Sequence, residues 1–144
     1  MSVFKAYDIR GVYPDELDEK LAYKLGRVYA ALRQQEVGNS PLTFVVGADM
    51  RLSSPALKKE LIRGLTEQGV DVVDVGLIST PTFYFAVAYY EYDGGVQVSA
   101  SHNPKQYNGF KLVRAQGSPV SRDTGMKDLE TAVQAGAIPK PTRK

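Results

Sequence analysis

Apolar residues along the first half of the chain recur alternately at helical and strand-like spacing. Residues 15–38 carry an apolar stripe at intervals of three and four, which predicts a helix capped by Asp15 or Asp18 and ended by Gly38. The stripe consists of Leu17, Leu21, Leu25, Val28 and Leu32. The β-branched run at 43–47 then predicts a buried strand.

The same alternation continues through the middle of the chain. Ser54 as N-cap and proline at the first helical position predict a helix that Gly69 ends. A strand over residues 70–75 follows directly. The Thr-Pro pair at 80–81 repeats the helix start and predicts an aromatic-rich helix to about residue 90.

The second half predicts two strands around a polar loop. The alternating run at 96–98 predicts a strand, and the small polar residues after it are held out of helical conformation by Pro104. A tight turn at 107–109 and a short apolar run at 110–113 predict a returning strand. The return is expected to bring Lys111 close to Ser101.

Strand, helix, strand, helix, strand is the order of two successive βαβ units, so three strands are expected to be parallel and the fourth antiparallel. A last helix is predicted from Ser121 or Thr124 to Gly136. The sequence thus predicts an α/β fold over residues 1–136, a three-layer αβα sandwich with a mixed, mostly parallel four-stranded sheet. Residues 137–144 are proline-rich and basic, which predicts a linker toward a second domain.

Composition excludes several kinds of site. Cysteine is absent, which excludes disulfides and thiolate zinc sites, and one histidine excludes a histidine metal cluster. A net charge of +2 is too mild to indicate nucleic-acid binding. Neither a signal peptide nor an apolar run long enough to cross a bilayer is found, so we expect a cytoplasmic protein with no membrane partner.

Chemistry-bearing residues gather where the predicted parallel strands end, which is where open α/β sheets bind ligands. Asp49, Arg51, Ser99 and Ser101 all lie there. No hydrolytic triad, Gly-x-Ser-x-Gly turn or nucleotide-binding glycine pattern is present. A positioned hydroxyl with nearby cations such as Arg10 suits phosphoryl transfer, although these residues alone favour a polar surface loop with a solvated arginine.

Three sequence motifs narrow these alternatives. Ser-Ala-Ser-His-Asn-Pro at 99–104 with Asn-Gly-Phe-Lys at 108–111, Ala-Tyr-Asp-Ile-Arg-Gly at 6–11, and Gly-Ala-Asp-Met-Arg-Leu-Ser at 47–53 resemble landmarks of the α-D-phosphohexomutases. They match the first of that family's four domains. The motif at 6–11 is more similar to the phosphomannomutase/phosphoglucomutase branch than to the phosphoglucosamine mutases.

The resemblance implies a role for each matched residue. Ser101 would carry the phosphoryl group, and one of its phosphate oxygens would bind Mg²⁺. Arg10 and Lys111 would stabilise charge and assist proton transfer, with His102 beside them in the catalytic group. The remaining two matched residues, Tyr7 and Asn103, would contact the substrate. The implied reaction moves a phosphoryl group between O1 and O6 of glucose or mannose phosphate through a bisphosphate.

The chain also departs from the family pattern. Ala48 stands where arginine is usual, and the family's magnesium, sugar-recognition and terminal phosphate loops do not occur in it. We therefore expect the remaining Mg²⁺ ligands in other domains of the same enzyme, and we expect these 144 residues to fold without catalysing turnover. The alternatives are a phosphosugar-binding module without catalysis, the phosphoglucosamine mutase branch, and an interaction domain.

Overall fold

The chain folds into one β-sheet with helices on both faces. A computed structural model describes residues 2–136 and 138–142. The strands are β1 (Ile9–Val12), β2 (Thr43–Ala48), β3 (Asp71–Leu77), β4 (Gly94–Val98) and β5 (Tyr107–Arg114). The helices are α1 (Glu19–Glu36), α2 (Ser54–Glu67), α3 (Thr80–Tyr89) and α4 (Met126–Gln134).

The sheet has the strand order β1-β5-β4-β2-β3. β2 pairs in parallel with β3 and β4, whereas β5 pairs antiparallel with β4 and β1. The prediction of four mostly parallel strands was therefore wrong: the described residues form five, and parallel and antiparallel pairings are equally frequent among them. The predicted count left out β1 because this strand has only four residues, too few to show a period, and pairs with a segment far along the chain.

Alternate strand residues face opposite layers, which confirms the predicted sandwich. Phe44 and Val46 of β2 pack into the main core with α1, α2 and α4, whereas Val45 between them packs with Phe83 and Val87 of α3. The α2 stripe is fully buried and consists of Leu57, Leu61 and Leu65. Burying one such leucine stabilises the fold by about 1.5–3 kcal/mol.

The helix starts differ slightly from the prediction. Asp18, not Asp15, caps α1, and its side-chain oxygen accepts a hydrogen bond from the Leu21 amide. α2 begins one residue earlier than predicted, with Ser53 at the N-cap position and no side-chain cap. Ser54 is instead fully buried and donates to the Asp49 carboxylate at 2.8 Å, so its hydroxyl supports the site.

Asn108 and Gly109 do not form the predicted tight turn. They lie inside β5, where Gly109 pairs with Arg10 of β1 and Asn108 is buried. A Cβ at Gly109 would lie 2.1 Å from the carbonyl oxygen of Ile9. Glycine is therefore required by the close approach of β1, not by a turn.

Residues 138–142 pack against the domain. Ile138 contacts the main core, and the Thr142 amide donates to the Glu67 carbonyl at 2.8 Å. Residues 137, 143 and 144 of the predicted linker lie outside the described residues. Within the described part of the chain, the helices are too short or too polar to cross a membrane.

Candidate active site

Ser101 lies in the loop that follows β4, at the carboxyl end of the parallel strands. It is exposed and has a φ of +56°, a left-handed conformation that non-glycine residues seldom adopt. Among the described residues, no hydrogen-bond partner contacts its hydroxyl. The hydroxyl is therefore open to solvent, as the sequence predicted.

The guanidinium of Arg51 is hydrogen-bonded to the backbone of this loop. Its terminal nitrogens donate to the backbone carbonyls of Ser101, Asn103, Pro104 and Tyr107 at distances from 2.7 to 3.1 Å. Its Nε donates to the Asp49 carboxylate at 3.0 Å. One side chain from the segment after β2 thus contacts three backbone carbonyls of the loop after β4 and the carbonyl of the first residue of β5.

Shorter contacts complete the loop. The Ser101 amide donates to the Ser99 hydroxyl at 3.0 Å, and the Asn103 side-chain amide donates to the Ala100 carbonyl at 2.6 Å. The His102 side chain is exposed, and within the described residues it makes no hydrogen bond. The geometry therefore orders the Ser101 and Asn103 backbone and leaves the imidazole free.

The loop forms one wall of an open cleft of about 950 Å³. The cleft is lined by residues 99, 101–103 and 105–106, by the segment 49–53 with Ala56, by Thr80 and Pro81, and by Tyr13. Tyr13 donates a hydrogen bond to the Glu19 carboxylate, which raises the pKa of Tyr13 above its ordinary value. The cleft thus combines a free serine hydroxyl with polar side chains and apolar walls.

The two predicted cations come together on β1 and β5, beside the cleft. Asp8, only 6% exposed, accepts from Arg10 Nε at 2.9 Å and from Lys111 Nζ at 3.2 Å. Arg10 pairs with Gly109, whose carbonyl in turn accepts from the Ser99 amide. Adjacent strands lie about 4.8 Å apart, so the Arg10 and Ser99 backbones are roughly 10 Å apart.

The predicted residues thus fall into two groups and one outlier. Ser101, His102 and Asn103 line the cleft, whereas Arg10 and Lys111 share Asp8. Among the described residues, no hydrogen bond or ion pair joins Ser101 to either cation. The outlier, Tyr7, is 69% exposed and does not line the cleft.

Sequence reasoning missed two supporting residues. Asp8 stands two positions before Arg10, the spacing that places side chains on one face of an extended segment, and this signal was available. Arg51 was recognised as lying at the sheet edge, but nothing local indicated that it would contact residues about fifty positions later. In the described residues, no group of three or more acidic or histidine side chains is arranged to hold a metal ion.

Comparison with known proteins identifies the family. The family model for phosphoglucomutase/phosphomannomutase, alpha/beta/alpha domain I, matches residues 1–138. The chain belongs to this family. A phosphomannomutase of Salmonella montevideo is 46% identical over 139 residues, which cover 96% of this chain and 29% of that protein. A phosphomannomutase of Klebsiella pneumoniae is 45% identical over 96% of this chain and 85% of its own length.

A solved structure agrees with the family assignment. A phosphoglucomutase/phosphomannomutase family protein from Burkholderia thailandensis superposes with a TM-score of 0.86 at 35% identity, over 99% of this chain and 32% of that one. The domain therefore spans under a third of the length of most of these relatives, and the activity of a whole protein is a matter for proposal.

Proposed function

We propose that this chain is the phosphoryl-carrying domain of a phosphohexomutase, with Ser101 as the residue that holds the phosphoryl group. The observation that carries the proposal is the exposed Ser101 hydroxyl, held at the mouth of the cleft by a loop whose backbone is hydrogen-bonded. The likeness to phosphomannomutases supports glucose or mannose phosphate as the substrate class.

Arg10 and Lys111 are the proposed phosphate-binding cations. Arginine has five N–H donors and protonated lysine has three. Arg10 uses only Nε on Asp8, and Lys111 donates one hydrogen bond to the same carboxylate, so both keep donors for phosphate oxygens. Asp8 holds the two cations side by side, which concentrates positive charge where a phosphoryl group is transferred.

In the proposed reaction, a free hydroxyl of the hexose phosphate attacks the phosphorus on Ser101. The bond between phosphorus and the new sugar oxygen forms, the bond to the Ser101 oxygen breaks, and the sugar hydroxyl proton passes to a neighbouring base. That proton is then passed to the departing Ser101 oxygen, and Lys111, as a cation beside Asp8, assists the transfer by donating a hydrogen bond to the transferred group. The bisphosphate then returns its other phosphoryl group to Ser101, so the serine is regenerated as phosphoserine.

Supporting roles are proposed for the remaining matched residues. His102 and Asn103 contact the sugar phosphate from the loop, and Tyr7 contacts it after the rest of the enzyme closes over the domain. Mg²⁺ is expected to neutralise charge on the transferred group. As the family resemblance implies, an oxygen of phosphorylated Ser101 would be one of its ligands. In the described residues no group of three or more acidic or histidine side chains is arranged to supply others.

The proposal is tested with Ser101→Ala in the full-length enzyme. We expect conversion of mannose 1-phosphate and glucose 1-phosphate to fall at least about 1,000-fold, because the group that carries the phosphoryl is removed. Intact-mass measurement is expected to find one phosphoryl group on the wild type and none on the variant. The matched control is Ser118→Ala, which replaces an exposed serine four residues after the end of β5. It is expected to change neither the rate of conversion nor the number of bound phosphoryl groups.

Conversion that survives Ser101→Ala would contradict the proposal. If Arg10→Ala then weakened hexose phosphate binding, the domain would be a phosphosugar-binding module. The 144-residue chain alone is expected to fold but not to interconvert hexose phosphates, and measurable turnover by it would contradict the need for further domains.

A further inference from the structure

We propose that Arg51 is a positioning residue, which holds the serine loop, residues 101–107, in the conformation that presents the Ser101 hydroxyl. Its effect on catalysis rests on the proposed function, whereas its effect on the loop does not. Within the serine loop, the Arg51 side chain donates only to backbone carbonyls. It therefore acts on the reaction through the position of Ser101.

All five N–H donors of Arg51 are already used within the domain. Nε donates to Asp49, one terminal nitrogen donates to two loop carbonyls, and the other terminal nitrogen donates to two more. Arg10 uses a single donor by comparison. Arg51 therefore has no free donor for a phosphate oxygen, and its charge serves the loop instead.

The neighbours of Arg51 keep its guanidinium in one place. Its side chain is 12% exposed, and its partner Asp49 also accepts from the Ser54 hydroxyl. Buried Asn108 donates to Ser54 and to Ser53. A polar network from the start of α2 and from β5 thus fixes the carboxylate, and the carboxylate fixes the arginine.

The backbone of Ser101 needs such support. A left-handed φ is unfavourable at a non-glycine residue, so the conformation persists only when its surroundings hold it. The Ser101 carbonyl accepts from Arg51 at 3.0 Å, and its amide donates to the Ser99 hydroxyl at 3.0 Å. The two contacts hold the residue on both sides, and Arg51 supplies one of them.

Lysine is the informative substitution at this position. It keeps the positive charge for Asp49, but it offers three donors from one point and cannot bond four carbonyls arranged around a planar fork. Arg51→Lys therefore separates loop geometry from local charge. Arg51→Ala removes both and leaves a space that a free guanidinium ion can enter.

Amide hydrogen exchange on the 144-residue chain measures the loop directly. In Arg51→Lys we expect the amides of Ser101, Asn103 and Tyr107 to exchange at least about 10-fold faster, while the β4 amides keep their protection. Arg122→Lys, at an exposed arginine outside the cleft, is the control and is expected to leave loop exchange unchanged. Unchanged loop exchange in Arg51→Lys would overturn the proposal whether or not the protein is a mutase.

Kinetics of the full-length enzyme test the consequence. We expect Arg51→Ala to lower kcat about 100-fold with less than about a 3-fold change in KM, since a misplaced nucleophile costs rate and not substrate affinity. Guanidinium at millimolar concentration is expected to restore part of kcat, whereas urea is not. A rise in KM like that of Arg10→Ala would mark Arg51 as a phosphate ligand and overturn the proposal. So would an unchanged kcat in a mutase that Ser101→Ala inactivates.

Discussion

Replacing Gly109 by alanine tests how β1 is held against β5, the strand that follows the serine loop. The new Cβ would lie 2.1 Å from the Ile9 carbonyl oxygen, whereas real Cβ contacts are essentially never closer than 3.0 Å, so the strands must separate by at least 0.9 Å (3.0 minus 2.1). The obstacle is backbone, which cannot rotate aside as a side chain can. The predicted cost is therefore near the upper end of the usual range for overpacking, about 3 kcal/mol.

Gly38→Ala is the matched control, because it adds the same methyl group without a steric neighbour. Among the described residues, no atom outside Gly38 and its two chain neighbours lies within 4 Å of the added Cβ, and the φ of +69° is unfavourable for alanine. We expect this strain to cost about 1 kcal/mol. The difference between the two variants then isolates the contact between β1 and β5 from the general effect of losing a glycine.

Urea unfolding of the 144-residue chain measures both costs, and amide exchange locates them. In Gly109→Ala we expect the amides of β1 to lose protection while those of β2 and β4 keep it, since β1 is the edge strand and β5 is its neighbour in the sheet. In the full-length enzyme, displacement of Arg10 is expected to lower activity as well. The reasoning is refuted if Gly109→Ala is no more destabilising than Gly38→Ala, or if β1 stays protected.

Two further predictions concern charge. Asp8→Asn removes the carboxylate that Arg10 and Lys111 share, and we expect it to destabilise the chain by about 1–3 kcal/mol in urea unfolding and to lower full-length activity more than about 10-fold; unchanged values of both would contradict the shared role. The Arg114 hydrogen bond lowers the pKa of Glu36 below 4.5, so its stabilising effect is present above that pH and is lost as pH falls through the lowered folded-state value. Glu36→Gln is therefore expected to reduce the change in the free energy of unfolding between pH 5 and that value, by about 1 kcal/mol at most for a surface pair. An unfolding free energy with the same pH dependence as the wild type would contradict this prediction.

Much of the fold could be predicted because buried apolar residues recur at regular spacing within each helix and strand. The apolar stripes of α1 and α2 and the apolar runs of β2 and β4 indicate which residues face a core. The order of the elements then restricts the topology to βαβ units. β1 carries no such period in four residues, and Asn108 and Gly109 have the composition of a turn. β1 and the segment that contains Asn108 and Gly109 are strands because they pair with each other, and local composition does not encode this pairing.

The sequence by itself determined the order of the elements, the place of Ser101 at a strand end and, through its motifs, the family. Only the tertiary structure decided that Asp8 joins Arg10 to Lys111 and that Arg51 donates to Asp49 and to four backbone carbonyls of the serine loop. The physical reason is that periodicity reports which face of a segment avoids water, whereas these contacts join residues about fifty to a hundred positions apart. These contacts exist only once the sheet has formed and its strand ends lie next to one another.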